Sequence, residues 1–299
     1  MIAGSWLWVV FTLLAAAGQT ARNAMQRELT ATLGTVGATH VRFLFGFPFA
    51  IVFLAAVVVI GGYALPSPPL VFWPWVLWGA VAQVLATALM LAAMNDRSFV
   101  VTIAYIKTEA VQGAIFGLIF LGDAVTLPLM IAIVVATAGV VLMSFKAGVP
   151  LKGGLRPTLL GLVSGGMFAL SATGYRGAIL SLGLPDFLLT ATFTVTVGLV
   201  LQAVMLTLFL ALRQPGVLVA IALAWRPSLF AGFMGATASE FWFLAFALTS
   251  VANVRTLALV EVLFAQVVSF SIFKQGTTPR EACGMVLIVL GVALLIWAQ

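Results

Sequence analysis

Five ionisable side chains stand inside long apolar runs of this sequence, where a charge is costly. They are Lys107, Glu109, Arg176, Glu240 and Glu261. At the centre of a lipid bilayer, each would cost roughly 2.5–3.5 kcal/mol on insertion scales. Carboxyl, ammonium and guanidinium groups in such surroundings form ion pairs, bind charged ligands or carry protons. The sequence therefore predicts a small set of buried polar sites.

Helical spacing predicts which of these groups share a face. Residues that step by four, three and four positions lie on one stripe of a helix, which is expected to face the interior. The stripe consists of Tyr105, Glu109, Gln112 and Phe116. Lys107 lies about 200° around the same helix from Glu109, so the two are not expected to pair there. We expect Lys107 to pair with Glu240 or Glu261 on a neighbouring helix, or to bind a ligand's carboxylate.

The composition indicates the surroundings in which these groups lie. Of the 299 residues, 63% are apolar and 7% are charged, against about 25% charged in soluble domains. So few charges cannot cover a soluble globule, which excludes a soluble enzyme and favours a membrane protein. The lone Cys283 excludes a disulfide framework and is expected to be buried and inert.

Apolar runs that end at charges, prolines or glycine clusters predict ten membrane spans joined by short segments. We therefore expect an all-α membrane protein with ten transmembrane helices. The spans are 4–21, 36–60, 70–93, 98–121, 126–145, 157–181, 186–211, 228–249, 252–273 and 279–298.

The basic residues are distributed unevenly between the two sides of the predicted bundle. Odd-numbered loops hold ten of the 14 Lys and Arg residues, whereas the even-numbered loops and the termini hold only Arg255. The positive-inside rule then places the odd loops in the cytoplasm and both termini outside. Arg22 and Arg42 are expected to extend to the headgroups. His40 is expected to be a hydrogen-bonded residue between helices.

Parts of the sequence recur at an offset of 152 residues. Ser98 then falls on Ser250, Glu109 on Glu261, and Gly139 on Gly291. This recurrence predicts two five-helix repeats, 1–149 and 150–299. Because five is odd, the second repeat begins on the opposite side of the membrane. Inverted repeats of this kind are typical of secondary transporters that work by alternating access.

The residues around the second glutamate also resemble a known family. They are Leu259-Val260-Glu261-Val262-Leu263-Phe264-Ala265, then Phe273-Lys274-Gln275, and then Gly284 through Gly291. The chain resembles the ten-span drug/metabolite transporter superfamily, in particular its EamA-type exporters and the aromatic amino acid exporters among them. The family usually has a proline after the glutamate and a Gly-Glu at the helix end. This chain has Ala110 and Val262 at the first position, and Gly122-Asp123 and Lys274-Gln275 at the second.

The resemblance implies a transporter that is not an enzyme and needs no cofactor. It implies export of small metabolites across the inner membrane, with amino acids, aromatic or of broad range, as the leading substrates. The expected partners are the small-molecule substrate, membrane lipids and protons as a coupling ion, with no nucleic acid and no metal. The alternatives are an exporter of cationic drugs or quaternary ammonium compounds, and a passive facilitator.

Eight residues are predicted to bind substrate, because their charges suit a zwitterion and their rings can stack on a substrate. An alternative for Glu109 and Glu261 is that they only hold the two repeats together. An alternative for the aromatic residues is that they face lipid. The predicted residues are Tyr105, Lys107, Glu109, Arg176, Glu240, Glu261, Trp78 and Trp242.

Overall fold

The chain is helical in a computed structural model that describes residues 2–96, 99–144, 155–271 and 278–297. No strand occurs within these ranges. The α-helices are α1 Ile2–Leu44, α2 Phe47–Gly61, α3 Phe72–Asp96, α4 Phe99–Ile106, α5 Glu109–Phe116, α6 Leu127–Ser144, α7 Arg156–Ser181, α8 Phe187–Arg213, α9 Pro215–Leu223, α10 Trp225–Leu248, α11 Val251–Leu257, α12 Glu261–Ser271 and α13 Pro279–Trp297. A π-helical turn, Gly117–Leu121, follows α5, and a 3₁₀ turn, Ala258–Val260, joins α11 to α12.

Helix α1 is a hairpin of two helical segments. The bend is at Gly34, whose φ of 67° is in the left-handed region that favours glycine. The Gln26 side-chain amide donates a hydrogen bond to the Ala38 carbonyl at 3.0 Å. Twelve residues of straight helix would separate these positions by about 18 Å, so the chain reverses between them. The first predicted span ended at residue 21, but the helix continues to this bend.

Six helical segments in the described ranges are long and apolar enough to cross a membrane. Their outer faces are apolar as well: Ile60 is 86% exposed and Leu212 is 83% exposed. Long apolar helices with apolar outer faces indicate a membrane protein. The six segments are Trp6–Gly61, Phe72–Asp96, Arg156–Ser181, Phe187–Arg213, Trp225–Leu248 and Pro279–Trp297.

Three helix pairs have the most extensive contacts: α3 with α7, α1 with α10, and α6 with α13. Glycines allow two of these close approaches. A Cβ on Gly174 would lie 2.8 Å from the backbone nitrogen of Gly79, and one on Gly139 would lie 2.6 Å from the Gly284 carbonyl oxygen. Small residues at these positions let the helix backbones approach closely, as in membrane helix bundles.

Two helical rods are interrupted just before a glutamate. Residues Lys107 and Thr108 form a turn between α4 and α5, and α5 begins at Glu109. The 3₁₀ turn after α11 ends at Val260, and α12 begins at Glu261. Each carboxylate therefore lies at the start of the helix that follows the turn.

The burial of several side chains tests the sequence predictions. Arg22 and Arg42 are 0% and 1% exposed, so the expectation that they extend to the headgroups is wrong. His40 is buried and shares a hydrogen bond of 3.0 Å with Thr207, as predicted. Cys283 is exposed on α13, where a buried thiol was predicted. Arg255 lies inside α11 and is 4% exposed.

Some positions used in the sequence predictions lie outside the described residues. They include the boundary between residues 149 and 150, together with Arg97, Ser98, Lys146, Lys152, Phe273, Lys274 and Gln275.

Candidate functional site

Four buried charges meet where the two broken helices approach each other. The Lys107 ammonium nitrogen is 2.7 Å from Glu261 Oε2 and 3.4 Å from Glu109 Oε1. The Arg255 guanidinium is 3.5 Å from Glu109 Oε2. These four side chains are 1–5% exposed. Each carboxylate therefore meets a cation from the other half of the chain, and the four charges cancel.

Two further side chains close these contacts into a ring. The Gln19 amide donates to Glu261 Oε1 at 2.7 Å, and the Trp242 indole nitrogen donates to the Gln19 oxygen at 2.9 Å. The Arg255 guanidinium lies over the Trp242 ring, 4.9 Å from its centroid. We call these six residues the ionic ring: Gln19, Lys107, Glu109, Trp242, Arg255 and Glu261.

The contact between Lys107 and Glu109 corrects the sequence prediction. A continuous helix would hold the two side chains about 200° apart. Because the helix is interrupted at Lys107 and Thr108, the ammonium group turns back towards the carboxylate of Glu109. The predicted partner on a neighbouring helix is confirmed, since Lys107 also contacts Glu261.

A small cavity lies beside the ionic ring, between helices of both halves. Arg255 and Gln19 line it together with Ser239. Its volume of about 10 Å³ is room for about one water molecule. A substrate would fit only after the walls move apart. Five aromatic side chains form much of the wall: Phe168, Tyr175, Trp242, Phe243 and Phe246.

Arg22 and Arg42 are buried next to this site and were not predicted to belong to it. Arg42 donates to Thr87 Oγ1 at 3.2 Å and to Ser239 Oγ at 3.3 Å. Arg22 donates to the Asn23 oxygen at 2.9 Å. Residues 19, 22, 23 and 26 are polar and step along one helical face. That spacing could have found Arg22, but ending the predicted span at residue 21 left it in a loop.

The remaining polar residues predicted to bind substrate lie away from the cavity. One Glu240 carboxylate oxygen accepts a hydrogen bond of 2.5 Å from Thr192, between α10 and α8. The Arg176 guanidinium is 3.5 Å from Asp123 and also donates to the carbonyls of Phe246, at 2.5 Å, and Thr249. Arg176 thereby connects α7 to the segment before α6 and to the end of α10.

The structure places the other two predicted aromatic residues outside the cavity wall. Trp78 stacks on Trp75, with ring centroids 5.4 Å apart, and meets the Phe120 ring edge-on at 4.8 Å. Tyr105 packs against Gly161, where an added Cβ would lie 2.6 Å from the Tyr105 Cβ. Of the eight predicted residues, the structure brings together four at the ionic ring: Lys107, Glu109, Glu261 and Trp242.

Comparison with known proteins shows the fold. No protein-family model and no curated protein match the sequence. Twenty-seven solved chains are similar in structure. One of these is a crystal structure of a protein with 14% sequence identity and a TM-score of 0.73, aligned over 99% of both chains. The two chains therefore share one architecture from end to end.

Proposed function

We propose that this chain is a secondary transporter of the cell's inner membrane that exports small metabolites by alternating access. Its ten membrane helices form two inverted five-helix repeats, as in the drug/metabolite transporter superfamily that the sequence resembles. Amino acids, aromatic ones or a broad range, are its substrates. The observation that carries this proposal is a small, aromatic-lined cavity next to buried charges at the junction of the two halves.

The helix bounds support the proposed repeat. At an offset of 152 residues, α3 covers 224–248 and α10 is Trp225–Leu248. The same offset moves α6 to 279–296, and α13 is Pro279–Trp297. It also moves the break before Glu109 onto the break before Glu261. Broken helices at corresponding positions in two halves are typical of transporter substrate sites.

The packing supports a two-fold relation between the halves. The repeat exchanges α3 with α10 and α7 with α1, so it relates the α3–α7 pair to the α10–α1 pair. Both pairs are among those with the most extensive contacts. A Cβ on Gly139 would lie 2.6 Å from the carbonyl oxygen of Gly284. A Cβ on Gly291 would lie 2.9 Å from the carbonyl oxygen of Ala132. Gly291 and Gly284 are the repeat partners of Gly139 and Ala132, so the two contacts are reciprocal.

The cavity wall supports an amphipathic substrate with a ring or other apolar body. Aromatic faces bind apolar and aromatic groups, while buried charges bind the oppositely charged groups of a substrate. The small volume of the cavity supports an occluded state, which alternating access requires between its two open states. The buried cations Arg22 and Arg42 count against a cationic drug as substrate.

Reconstitution of the purified full-length protein into liposomes tests the proposal. We expect saturable counterflow of labelled amino acids into liposomes that contain the unlabelled compound, measured with and without pH gradients of either sign. A pH gradient that drives accumulation would support proton coupling. Absence of uptake and counterflow for all twenty amino acids would overturn the proposal. A conductance in planar bilayers would favour a passive facilitator instead.

A matched pair of variants tests whether the cavity is the path. Ala172 lines the cavity and is 1% exposed, whereas Ala282 is exposed on α13. Ala172→Phe adds a ring that the cavity of about 10 Å³ holds only if its walls move apart, and it should abolish counterflow in protein that still elutes as a single peak in size-exclusion chromatography. Ala282→Phe adds the same volume to the outer surface and should leave counterflow unchanged. Equal activity of the two variants would place the path elsewhere.

A further inference from the structure

We infer that the guanidinium groups of Arg22 and Arg42 bind the carboxylate of the transported substrate, and that Lys107 does not. This inference rests on the proposed function and names the residues that select its substrates. The two arginines are the largest fully buried side chains of the described residues. Neither is part of the ionic ring.

The balance of buried charge is the first observation. Lys107 and Arg255 are neutralised by Glu109 and Glu261 within the ionic ring. All eight Asp and Glu residues of the chain lie in the described ranges, and none is within 4 Å of the Arg22 or Arg42 guanidinium. Two positive charges are therefore buried without a salt-bridge partner among the described residues.

Unused donors are the second observation. Arg22 Nη1 and Arg42 Nε are buried and have no hydrogen-bond partner in the described structure. The other nitrogens of the two side chains donate to neutral oxygens of Asn23, Thr87 and Ser239. A buried guanidinium needs an anion and a full set of acceptors. A carboxylate supplies both, because its two oxygens accept paired hydrogen bonds from arginine.

The position of the two side chains is the third observation. Both arginine side chains pack against Gly235 of α10. A Cβ on Gly235 would lie 3.2 Å from Arg42 Cγ and 3.4 Å from Arg22 Cδ. One helical turn further along α10, Ser239 accepts a hydrogen bond from Arg42 and lines the aromatic cavity. Once the cavity walls have moved apart, a substrate with its ring in the cavity can thus direct a carboxylate past Ser239 towards the two guanidinium groups.

Lys107 is a poor candidate for the same role. Its ammonium group already contacts carboxylates of Glu261 and Glu109 at 2.7 and 3.4 Å. A substrate carboxylate there would have to displace one of two fixed carboxylates. The assignment therefore separates a structural cation, Lys107, from two ligand-binding cations, Arg22 and Arg42.

Binding of three aromatic probes to the full-length protein in nanodiscs tests the inference. L-Phenylalanine has a carboxylate and an ammonium group, phenylalaninamide lacks the carboxylate, and phenylacetate lacks the ammonium group. We expect the wild type to bind phenylalanine and phenylacetate at least tenfold more tightly than the amide. Arg42→Gln and Arg22→Gln should each remove most of this preference, while Arg42→Lys should retain part of it.

Arg27→Gln is the matched control, because Arg27 is an exposed arginine on the same helix as Arg22. It should retain the wild-type preference. Elution as a single peak in size-exclusion chromatography identifies folded variants. As a measurement that needs no variant, phenylacetate should raise the unfolding temperature of the wild type more than phenylalaninamide does.

The outcomes separate this inference from the proposed function. Phenylacetate binding that depends on Arg22 and Arg42, without transport of any amino acid, would support the carboxylate site and reject amino acid transport. Amino acid transport with an unchanged carboxylate preference in folded Arg22→Gln and Arg42→Gln would reject the carboxylate site alone. Wild-type protein that binds none of the probes, or binds the amide as tightly as the acid, would also overturn the inference.

Discussion

The helix break before Glu109 and the one before Glu261 share a position in their helices but differ in their charges. Lys107 occupies the first break, and Leu259 occupies the equivalent position in the second at the 152-residue offset. Arg255 lies one turn before the second break, where the first half has Ile103. Each half therefore contributes one cation, but from a different position.

This difference determines how the two halves hold each other. Lys107 of the first half makes the shorter contact with Glu261, and Arg255 of the second half contacts Glu109. The contacts cross between the halves, so neither half neutralises its own glutamate completely. Lys107 contacts two carboxylates, whereas Arg255 contacts one and lies over the Trp242 and Phe246 rings. The two cations should therefore contribute unequally to stability.

The largest effect is expected for Lys107→Met. Among the described residues, Glu261 would keep its hydrogen bond from Gln19 but no ion pair, and Glu109 would keep Arg255. Removing one partner of a buried ion pair costs about 3–5 kcal/mol, because the remaining charge stays buried. We expect Lys107→Met to lower the unfolding temperature, measured in nanodiscs, more than Arg255→Met or Tyr63→Phe does.

Two double variants are the controls for Lys107→Met. Lys107→Met with Glu261→Gln removes both charges and should recover most of the lost stability. Lys107→Leu with Leu259→Lys moves the cation to the equivalent position in the other break. If the two halves are related by the proposed repeat, this exchange should recover part of the stability as well. If Lys107→Met alone were as stable as the wild type, the ion pairs between the halves would contribute little to the free energy of unfolding.

A smaller effect is expected for Arg255→Met. Glu109 would still lie 3.4 Å from the Lys107 ammonium group, so no carboxylate would lose all of its cationic partners. The lost ion pair is a long one, at 3.5 Å, and Glu109 keeps a cation, so the cost should stay below the roughly 3–5 kcal/mol of a buried charge left without its partner. The lost contacts with aromatic rings add to it. Arg255→Lys restores the charge without the planar stacking and should be intermediate in unfolding temperature. A larger loss for Arg255→Met than for Lys107→Met would reverse the proposed order.

Much of the architecture follows from the sequence, because apolar runs are limited in length by the membrane. The predicted span 157–181 corresponds to α7, Arg156–Ser181, and the span 98–121 begins and ends within one residue of the helices there. The buried carboxylates Glu109 and Glu261 were also predictable, since charges inside apolar runs must avoid lipid. Glu240 was equally predictable as a charge that avoids lipid, but its partner Thr192 on α8 was not.

The burial of Arg22 and the pairing of Lys107 with Glu109 were not predicted, each for its own physical reason. An arginine at the end of an apolar run is expected to extend into water, and only the helix continuing to Gly34 buries Arg22. The pairing of Lys107 with Glu109 depends on a break in the helix that contains no proline or glycine. Helical periodicity assumes a continuous helix, so it predicted that the Lys107 side chain points away from Glu109.

The smallest effect is expected for Tyr63→Phe, which tests whether burial makes the crossed contacts strong. Tyr63 donates a hydrogen bond of 2.6 Å to Asp186, and this contact also joins the two halves, but both residues are only half-buried. The Tyr63 hydroxyl and the Leu189 backbone N–H hold the pKa of Asp186 below its ordinary value, and the same contact raises the pKa of Tyr63. Water screens such a contact, so its loss should lower the unfolding temperature less than either variant of the ionic ring.

The pH dependence of Tyr63→Phe identifies the contact. Because the pKa of Asp186 is lowered by folding, its stabilisation is present above the unfolded pKa of about 3.9 and is lost as the pH falls through the folded value. Because the pKa of Tyr63 is raised, its stabilisation is present below about pH 10 and is lost as the pH rises through the folded value. The difference in unfolding temperature between wild type and Tyr63→Phe should therefore be constant near neutral pH and shrink in acid and in strong base. A difference that does not change with pH would mean that the Tyr63 hydroxyl stabilises the protein other than through Asp186. A difference as large as that of Lys107→Met would mean that pairing across the halves, rather than burial, sets the energy of these contacts.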